Sequence, residues 1–309
     1  MNAQHKPPLI VITGPTATGK TRTAAHVARA MNGEVISADS RQVFRGMDIG
    51  TGKDLDDFLV DGYLVPYHLV DIVNPGHEFS VFEFLQHFTQ AYNHVSKREK
   101  QAILCGGTGL YIEAALKGYR MPRVPENKEL RRKLNELTMQ ELTDMLASLR
   151  PLHNVTDTSD RERLLRAVEI ETHQKENPEA ALQLPHFRYI IFAIHFEREE
   201  IRRRITQRLQ ARLDDGMIDE IHRLLHRGLK PEQLTFYGLE YRYLTLYAIG
   251  EISYDEMFQK LNTAIHQFAK RQMTWFRRME RHGFNIHWID GNYNMDERVA
   301  LIRETVKGL

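Results

Sequence analysis

Cysteine is nearly absent from this chain, and it has neither a strong net charge nor a long apolar run. The single cysteine, Cys105, excludes an internal disulfide framework and a cysteine-rich zinc module. A formal net charge of +1 means that affinity for nucleic acid must come from local basic surfaces. The apolar run after the polar amino terminus is too short for a signal sequence or a membrane span, so a cytoplasmic protein without membrane contact is expected.

The length and the composition of the chain suggest how it is divided into domains. At 309 residues with 42% hydrophobic content, it can form one large domain with a substantial insert, or two domains. From about Met121, two prolines open a charged, helix-forming stretch that lasts to about Pro185. This change indicates a helical insert over residues 121–185, between core segments 1–120 and 186–309.

A strand that runs into a glycine-rich turn is the most informative motif. Residues 9–13, LIVIT, predict a strand, and residues 14–21, GPTATGKT, match the pattern G-x-x-x-x-G-K-[ST] in full before an amphipathic helix. The glycines let backbone N–H groups converge on a phosphate, while Lys20 neutralises charge and the Thr21 hydroxyl can bind Mg²⁺. The motif therefore predicts capture of a diphosphate or triphosphate, without naming the molecule that carries it.

Two further strand ends are predicted to lie near this loop. A strand at residues 34–37 delivers Asp39 and Ser40 at its carboxyl end, where ligands bind in open α/β sheets. Asp39 is either a magnesium ligand or general base, or a helix cap, and its charge alone does not separate these hypotheses. A third strand, QAILC, leads into the glycine-rich turn at residues 106–109, which glycine could form without any ligand.

Eight segments between residue 9 and about residue 278 match one protein family in order. They are GPTATGKT, ISADSRQVFRGMDIGTGK, YHLVDIV, GGTGLYIEAAL, RERLLRAVEI, RRRITQRLQARLDDGMIDEI, GEISYDEM and AKRQMTWFRR. In these segments the chain resembles the tRNA dimethylallyltransferases, also called tRNA isopentenyltransferases, of the bacterial type without a zinc finger. The resemblance implies an α/β fold with a P-loop NTPase-like core, in which helices flank a parallel sheet, and an all-helical insert domain.

The resemblance also implies an activity. A dimethylallyl group would pass from dimethylallyl diphosphate to N6 of the adenosine on the 3′ side of the tRNA anticodon, with release of pyrophosphate. The implied catalytic residues are Asp39, as the base that takes the N6 proton, Thr16, and Arg208, which matches the pyrophosphate-binding arginine of the family. The implied diphosphate contacts are Gly14, Pro15, Thr16, Ala17, Thr18, Gly19, Lys20 and Thr21, with Mg²⁺ as cofactor at Thr21.

In the resembling family the insert closes over the anticodon stem-loop, so tRNA contacts are expected on both parts of the chain. The matching positions are Asp39, Ser40, Arg41, Gln42, Thr108, Arg131, Glu162, Arg163, Arg166, Lys270, Arg271, Gln272, Trp275 and Arg277. Trp275 fits a core position at least as well as a position that stacks on a base. In the arginine-rich stretch of residues 198–212, Arg204 is a weaker candidate for a functional role than Arg208. Most of this stretch is expected to be a solvated helix face.

One residue departs from the family pattern. Glu240 stands where the family has a glycine, which weakens the transfer of RNA contacts to Tyr241 and Arg242.

Three other functions stay open at this point. An adenylate isopentenyltransferase would use the same donor with a free nucleotide, and a P-loop kinase of small substrates would place ATP in the loop. A non-enzymatic RNA-binding protein would give Asp39 no chemical role. The insert and the basic carboxyl-terminal helix favour RNA as the acceptor; no obligate protein partner is predicted, and a monomer is expected.

Overall fold

A parallel β-sheet forms the centre of the larger of two compact units. The computed structural model describes residues 7–118, 124–150, 160–176 and 184–308. The first unit comprises residues 1–117 and 185–309, and the second comprises residues 118–184. The boundary predicted between residues 120 and 121 lies outside the described residues. Within the described ranges, no helix is both long enough and apolar enough to cross a bilayer.

Six of the eight strands in the described residues form the main sheet. The strands in chain order are β1 (Leu9–Thr13), β2 (Gly33–Ser37), β3 (Leu59–Val60), β4 (Tyr63–Leu64), β5 (Tyr67–His68), β6 (Gln101–Cys105), β7 (Tyr189–His195) and β8 (Ile286–Asp290). The sheet order is β5-β2-β6-β1-β7-β8 with every neighbouring pair parallel, and β3 and β4 form a separate antiparallel hairpin. Strands β1, β2 and β6 are buried along their whole length, as expected for a parallel sheet covered on both faces.

Helices account for most of the remaining described chain. The helices are α1 (Lys20–Ala30), α2 (Val81–Lys97), α3 (Gly109–Lys117), α4 (Lys128–Asn135), α5 (Met139–Leu149), α6 (Arg161–Glu176), α7 (Arg198–Asp214), α8 (Met217–His226), α9 (Pro231–Leu234), α10 (Leu239–Ala248), α11 (Tyr254–Arg281) and α12 (Met295–Lys307). A 3₁₀ turn at Leu55–Phe58 precedes the β3–β4 hairpin. This architecture confirms the predicted α/β class with a parallel sheet and a helical insert.

The larger unit has two apolar cores. In the first, Ile10 and Ile12 of β1 pack with Ala24 and Val27 of α1 and with Ile302 of α12. Full burial of an aliphatic side chain of this size stabilises a fold by about 1.5–3 kcal/mol, so these contacts hold α1 firmly against the sheet. The second core joins α7, α8, α10 and α11 to the loop after β2, through buried residues that include Met47. These cores therefore hold α1, α7 and α11 in place.

The smaller unit has a core of its own. Leucines from α4, α5 and α6 form a separate buried cluster, with Leu134, Leu142, Leu146 and Leu164 at its centre. The helices begin at side-chain caps: Asn127 accepts the Leu130 N–H before α4, and Thr138 with Glu141 forms a capping box before α5. Within the described residues this unit is helical.

The sheet order brings three loops together. Because β6 lies between β2 and β1 and all three strands are parallel, their carboxyl ends form one edge. At that edge the Thr13 hydroxyl donates to the Gly106 carbonyl at 2.8 Å, and the Ser40 N–H donates to Thr108 Oγ1 at 3.2 Å. A Cβ at Gly106 would stand 2.2 Å from the Ala38 carbonyl oxygen, so only glycine allows this approach. The P-loop, the Asp39 segment and the 106–109 turn are therefore neighbours.

Candidate active site

The loop between β1 and α1 has the geometry of an anion cradle. Gly14 has a φ of 144°, and a Cβ there would stand 2.5 Å from the Ile194 carbonyl oxygen. Gly19 has a φ of 77° and stands immediately before the first residue of α1. The Thr18 hydroxyl and the Lys20 ammonium group both donate to the Pro15 carbonyl, at 2.9 and 3.3 Å. No acidic residue occupies the first turn of α1, so its positive end remains suited to a phosphate.

The pKa values of two side chains near this loop, Lys20 and Cys105, are shifted in opposite directions. Burial lowers the pKa of Lys20 below its ordinary value, and the charge of Arg208 contributes in the same direction. Burial raises the pKa of Cys105 to about 12, so the thiol is neutral at physiological pH. Cys105 is buried and is a free cysteine. The cleft thus has no thiolate nucleophile at Cys105.

A cleft of about 640 Å³ opens over these loops. This volume lies within the range of typical small-molecule sites. The predicted residues that line it are Thr16, Lys20, Thr21, Asp39, Ser40, Arg41, Gln42, Thr108, Arg208, Arg271, Gln272 and Trp275. The fold therefore brings three of the eight predicted diphosphate contacts, Thr16, Lys20 and Thr21, into one cleft with a large share of the predicted tRNA contacts.

Helix α7 directs two arginines onto the P-loop. Arg208 Nη1 donates to Thr16 Oγ1 at 3.3 Å, and Arg204 Nε donates to the Ala17 carbonyl at 3.0 Å. The two arginines are four residues apart, so they share one helix face. The predicted residues Arg208 and Thr16 are thus in contact, although they are 192 positions apart in sequence.

A carboxylate that the sequence did not point to, Asp54, lies between Arg208 and another arginine of α7, Arg212. Asp54 accepts from Arg208 Nη2 at 2.6 Å and from Arg212 Nη2 at 2.9 Å. Burial raises the pKa of Asp54, but the charges of Arg208 and Arg212 outweigh it and hold that pKa below its ordinary value. Asp54 is therefore ionised at neutral pH and places a negative charge beside the arginine predicted to bind pyrophosphate.

Asp39 is a cleft residue and not a helix cap. Its Oδ1 accepts the N–H of Arg41 at 2.9 Å, and no helix begins in the described segment 38–54. This excludes the helix-cap hypothesis, because Asp39 has no helix N-terminus to cap. The carboxylate lines the same cleft as Lys20 and Thr21.

Comparisons with known proteins identify the family. A family model described as IPP transferase matches residues 42–279, and one described as isopentenyl transferase matches residues 7–64. The chain is 52% identical over 299 residues to tRNA dimethylallyltransferase 2 of Bacteroides fragilis, covering 97% of this chain and 98% of that protein. The chain belongs to the tRNA dimethylallyltransferase family. It is also 55% identical over 284 residues to tRNA dimethylallyltransferase 1 of Geotalea daltonii, covering 92% of this chain and 91% of that protein.

Solved structures of this family share the fold. The full-length tRNA isopentenylpyrophosphate transferase from Bacillus halodurans matches with a TM-score of 0.70 at 30% identity, covering 98% of this chain and 96% of that one. A eukaryotic dimethylallyltransferase acting on tRNA matches with a TM-score of 0.68 at 21% identity, covering 97% of this chain and 79% of that one. These neighbours confirm the P-loop NTPase-like core predicted from the sequence.

Helix α11 contains residues 270–275, KRQMTW, one of the segments on which the resemblance to the tRNA dimethylallyltransferases rests. Lys270, Arg271 and Arg277 are exposed on this helix. Trp275 is half-buried: its ring packs against Gly109, and the Arg278 guanidinium lies 4.0 Å from the ring centroid. Gln272 is 7% exposed and lines the cleft, and its predicted contact with tRNA stays a prediction. The contacts of the exposed residues Lys270, Arg271 and Arg277 with tRNA stay a prediction.

The loop after β2 is held by side chains of the loop itself, of β2 and of α8. Gln42 Nε2 donates to the Gly52 carbonyl at 3.0 Å, and the Ser37 hydroxyl donates to Gln42 Oε1 at 3.1 Å. The Glu220 carboxylate accepts the N–H groups of Asp48 and Ile49, both at 2.8 Å. The amide of Gln42 is thus engaged within the protein, and its predicted contact with tRNA stays a prediction.

Two of the four predicted RNA contacts of the insert, Arg131 and Arg166, meet at a buried carboxylate. Arg131 Nη2 donates to Glu169 Oε2 at 3.2 Å, and Arg166 Nη1 donates to the same oxygen. Burial raises the pKa of Glu169, but the Asn127 N–H and the two arginines outweigh it and lower that pKa. Glu162 and Arg163 are exposed on the first turn of α6. Arg131 and Arg166 therefore have a structural partner in their own unit, and their contact with tRNA remains a prediction.

Glu240 belongs to the cleft in this member of the family. It lines the cleft on α10, and burial raises its pKa above the ordinary value while Arg212 and Arg208 oppose this rise. The next residue, Tyr241, is fully buried and donates its hydroxyl to Glu220. Arg242 lines the cleft. Tyr241 thus serves the core, whereas Arg242 is placed where a ligand could reach it.

Proposed function

We propose that the protein transfers a dimethylallyl group from dimethylallyl diphosphate to N6 of the adenosine on the 3′ side of the anticodon in tRNA and releases pyrophosphate. The observation that carries this proposal is a single cleft with three parts. It contains the P-loop, Arg208 in contact with Thr16 of that loop, and the Asp39 carboxylate in the loop after β2, which has no ion pair among the described residues. Membership of the tRNA dimethylallyltransferase family supports dimethylallyl diphosphate as the molecule that this P-loop would bind.

The P-loop side of the cleft suits the leaving group. As the allylic C–O bond breaks, negative charge grows on the departing pyrophosphate. The N-terminus of α1, the Lys20 ammonium group and the Arg208 guanidinium are arranged to stabilise that charge. Donors held in place beforehand stabilise the transition state more than the ground state, which accelerates the reaction.

The β2 side of the cleft suits the acceptor. An exocyclic adenine amine is a weak nucleophile, so its proton must leave as the new C–N bond forms. Asp39, in the loop after β2, supplies a carboxylate for this proton. General-base catalysis of this kind contributes roughly 10²–10⁴-fold to a rate. Thr16 acts on the donor side, because its hydroxyl meets Arg208.

The residues of the cleft fit Mg²⁺ bound together with a diphosphate. Among the described residues, no group of three or more His, Cys, Asp and Glu side chains could hold a metal by itself. Mg²⁺ in phosphate sites typically uses one or two protein oxygens, with phosphate and water supplying the rest. The Thr21 hydroxyl would hold the ion, with the Asp39 carboxylate available through water. When bound, Mg²⁺ would neutralise charge on the diphosphate.

The proposal extends to the acceptor and the compartment. Exposed cations on α11 and α6, such as Lys270, Arg277 and Arg163, would bind phosphates of the anticodon stem-loop. The enzyme would act as a monomer in the cytoplasm, a reducing compartment that suits a chain with one buried thiol.

A paired transfer assay tests the proposed function. Labelled dimethylallyl diphosphate and Mg²⁺ are given to the enzyme with an unmodified anticodon stem-loop in one reaction and with AMP in the other. The expected result is label on the RNA alone. A stem-loop whose adenosine next to the anticodon is replaced by guanosine is the matched control and should stay unlabelled. Label on AMP would indicate a free-nucleotide prenyltransferase, and ATP consumption without prenyl transfer would indicate a kinase.

A further inference from the structure

Gln272 joins two loops of the cleft that are far apart in sequence. Its Oε1 accepts the Thr16 N–H at 2.9 Å, and its Nε2 donates to the Gly107 carbonyl at 2.9 Å. The side chain comes from the middle of α11, and only 7% of the residue is exposed. One amide thus ties the P-loop to the turn after β6, so both loops depend on the position of α11.

The surroundings of Gln272 leave little freedom for this amide. A Cβ on Gly107 would stand 2.4 Å from Gln272 Nε2, so the absence of a side chain at Gly107 is what admits the amide. A buried amide that loses a partner leaves an unsatisfied polar group, which is a substantial penalty. The junction is therefore expected to hold its geometry.

Thr16 is held from two directions. Gln272 binds its backbone N–H, while Arg208 donates to its side-chain hydroxyl. The loop around Thr16 includes Ala17, which has a left-handed φ of 63°, a conformation that favours glycine and needs support from its neighbours. Gln272 therefore supports the part of the P-loop where the backbone is least able to hold itself.

We propose that Gln272 is a positioning residue for the prenyl diphosphate: it sets the P-loop at Thr16 against the 106–109 turn and is not a direct tRNA contact. The assignment of the diphosphate rests on the proposed function. Its neighbours on the same helix, Lys270 and Arg271, are exposed and free to meet RNA. Helix α11 then serves the donor through Gln272 and the acceptor through its exposed cations.

Binding of inorganic pyrophosphate with Mg²⁺, measured by titration calorimetry without RNA, tests this role. Gln272→Met keeps the side-chain length and removes both hydrogen bonds. It should weaken pyrophosphate binding on the order of tenfold. The KM for dimethylallyl diphosphate should rise by a similar factor, while the KM for the anticodon stem-loop should stay within about twofold.

Two further variants make the result specific. Gly107→Ala places a methyl group against Gln272 Nε2 without changing α11, and it should reproduce the loss of pyrophosphate binding. Lys270→Gln changes an exposed side chain two residues away. It should show the opposite pattern, with weaker stem-loop binding and pyrophosphate binding within about twofold of the unaltered protein. Thermal unfolding of each variant shows whether it is folded. If Gln272→Met does not fold, the binding of pyrophosphate by Gly107→Ala decides the test.

The outcomes separate this inference from the proposed function. Pyrophosphate binding within about twofold in folded Gln272→Met and Gly107→Ala, with a raised stem-loop KM, would make Gln272 an RNA contact and overturn the inference alone. If the unaltered protein binds no pyrophosphate, the proposed function and the inference fail together. Loss of pyrophosphate binding in the two variants, with an unchanged stem-loop KM, supports both.

Discussion

At the scale of single residues, the cleft places carboxylates and cations close together, and each carboxylate has its own environment. Asp39 accepts one backbone N–H and has no ion pair among the described residues, whereas Asp54 is paired with two arginines. An unpaired carboxylate can take a proton from a substrate, while a paired one mainly neutralises its partners. The two aspartates are therefore expected to respond differently to the same substitution.

Asp39→Asn should remove the base and leave the cleft intact. The asparagine side chain has nearly the same shape, and its amide oxygen can still accept the Arg41 N–H. We expect the single-turnover rate of prenyl transfer to fall roughly 10²–10⁴-fold. Binding of the stem-loop and of pyrophosphate should change by less than about threefold. An undiminished turnover rate would remove Asp39 from the mechanism.

Asp54→Asn should strengthen binding of the diphosphate. Asp54 competes with a diphosphate for Arg208 and Arg212 and also repels it, so neutralising Asp54 should tighten pyrophosphate binding up to about fivefold. Titration calorimetry measures the change. Asp56→Asn removes the same charge from an exposed residue of the neighbouring turn and should have little effect. Weaker binding in Asp54→Asn would instead mean that Asp54 is needed to hold Arg208 in place.

The sequence predicted the motif residues of the site better than their partners. The P-loop and Asp39 could be found because a short pattern and a strand end define them locally. Asp54 has no such signal, since its role depends on two arginines that lie 154 and 158 residues away. Gln272 lies in a segment that the family resemblance assigned to RNA. Its buried contacts with Thr16 and Gly107 are tertiary, so the sequence alone could not show them.

At the scale of elements, a buried carboxylate holds helices or loops together in each of the two units. Glu169 on α6 accepts from the Asn127 N–H at 2.6 Å and from two arginines, and its side chain is 1% exposed. Glu220 on α8 plays the same part for the loop after β2. A carboxylate that is buried with all its partners is costly to neutralise, because the partners are then left without a counter-charge.

Glu169→Gln should destabilise the helical unit by about 3 kcal/mol at neutral pH. Because the folded-state pKa of Glu169 lies below its ordinary value of 4.5, its stabilisation is fully present above that pH and is lost as the pH falls through the lower folded-state value. The difference between the variant and the unaltered protein should therefore shrink in acid.

Urea denaturation followed between pH 7 and pH 3 measures this effect. Glu129→Gln is the matched control, because Glu129 pairs with Lys133 on the exposed face of α4 and should change stability by less than about 0.5 kcal/mol. A difference for Glu169→Gln that does not change with pH would show that the charge of Glu169 is not its source.

At the scale of the whole molecule, charge is balanced overall and uneven locally. The chain has 42 lysines and arginines against 41 aspartates and glutamates, so no bulk attraction draws it to RNA. Binding of tRNA must then depend on particular basic side chains, each of which displaces counterions from the RNA.

Arg277→Gln should weaken the salt dependence of stem-loop binding. Removal of one phosphate contact reduces the slope of log Kd against log salt concentration by about 0.7 for single-stranded RNA. Filter binding at several KCl concentrations gives the slope. Lys307→Gln makes the same charge change at an exposed position on α12, outside the predicted contacts, and should leave the slope unaltered. If the slope for Arg277→Gln equals that for Lys307→Gln, Arg277 does not contact an RNA phosphate.

The sequence by itself determined the local features of this protein: the P-loop, the buried parallel strands, the helical insert and the family. These follow from residues that act on their chain neighbours, through glycine backbone conformations, apolar strands and the order of motifs. Only the tertiary structure decided which side chains meet. The pairing of Arg208 with Thr16, the ion pairs of Asp54 and the junction at Gln272 depend on strand order and helix packing, which bring together residues separated by more than a hundred positions.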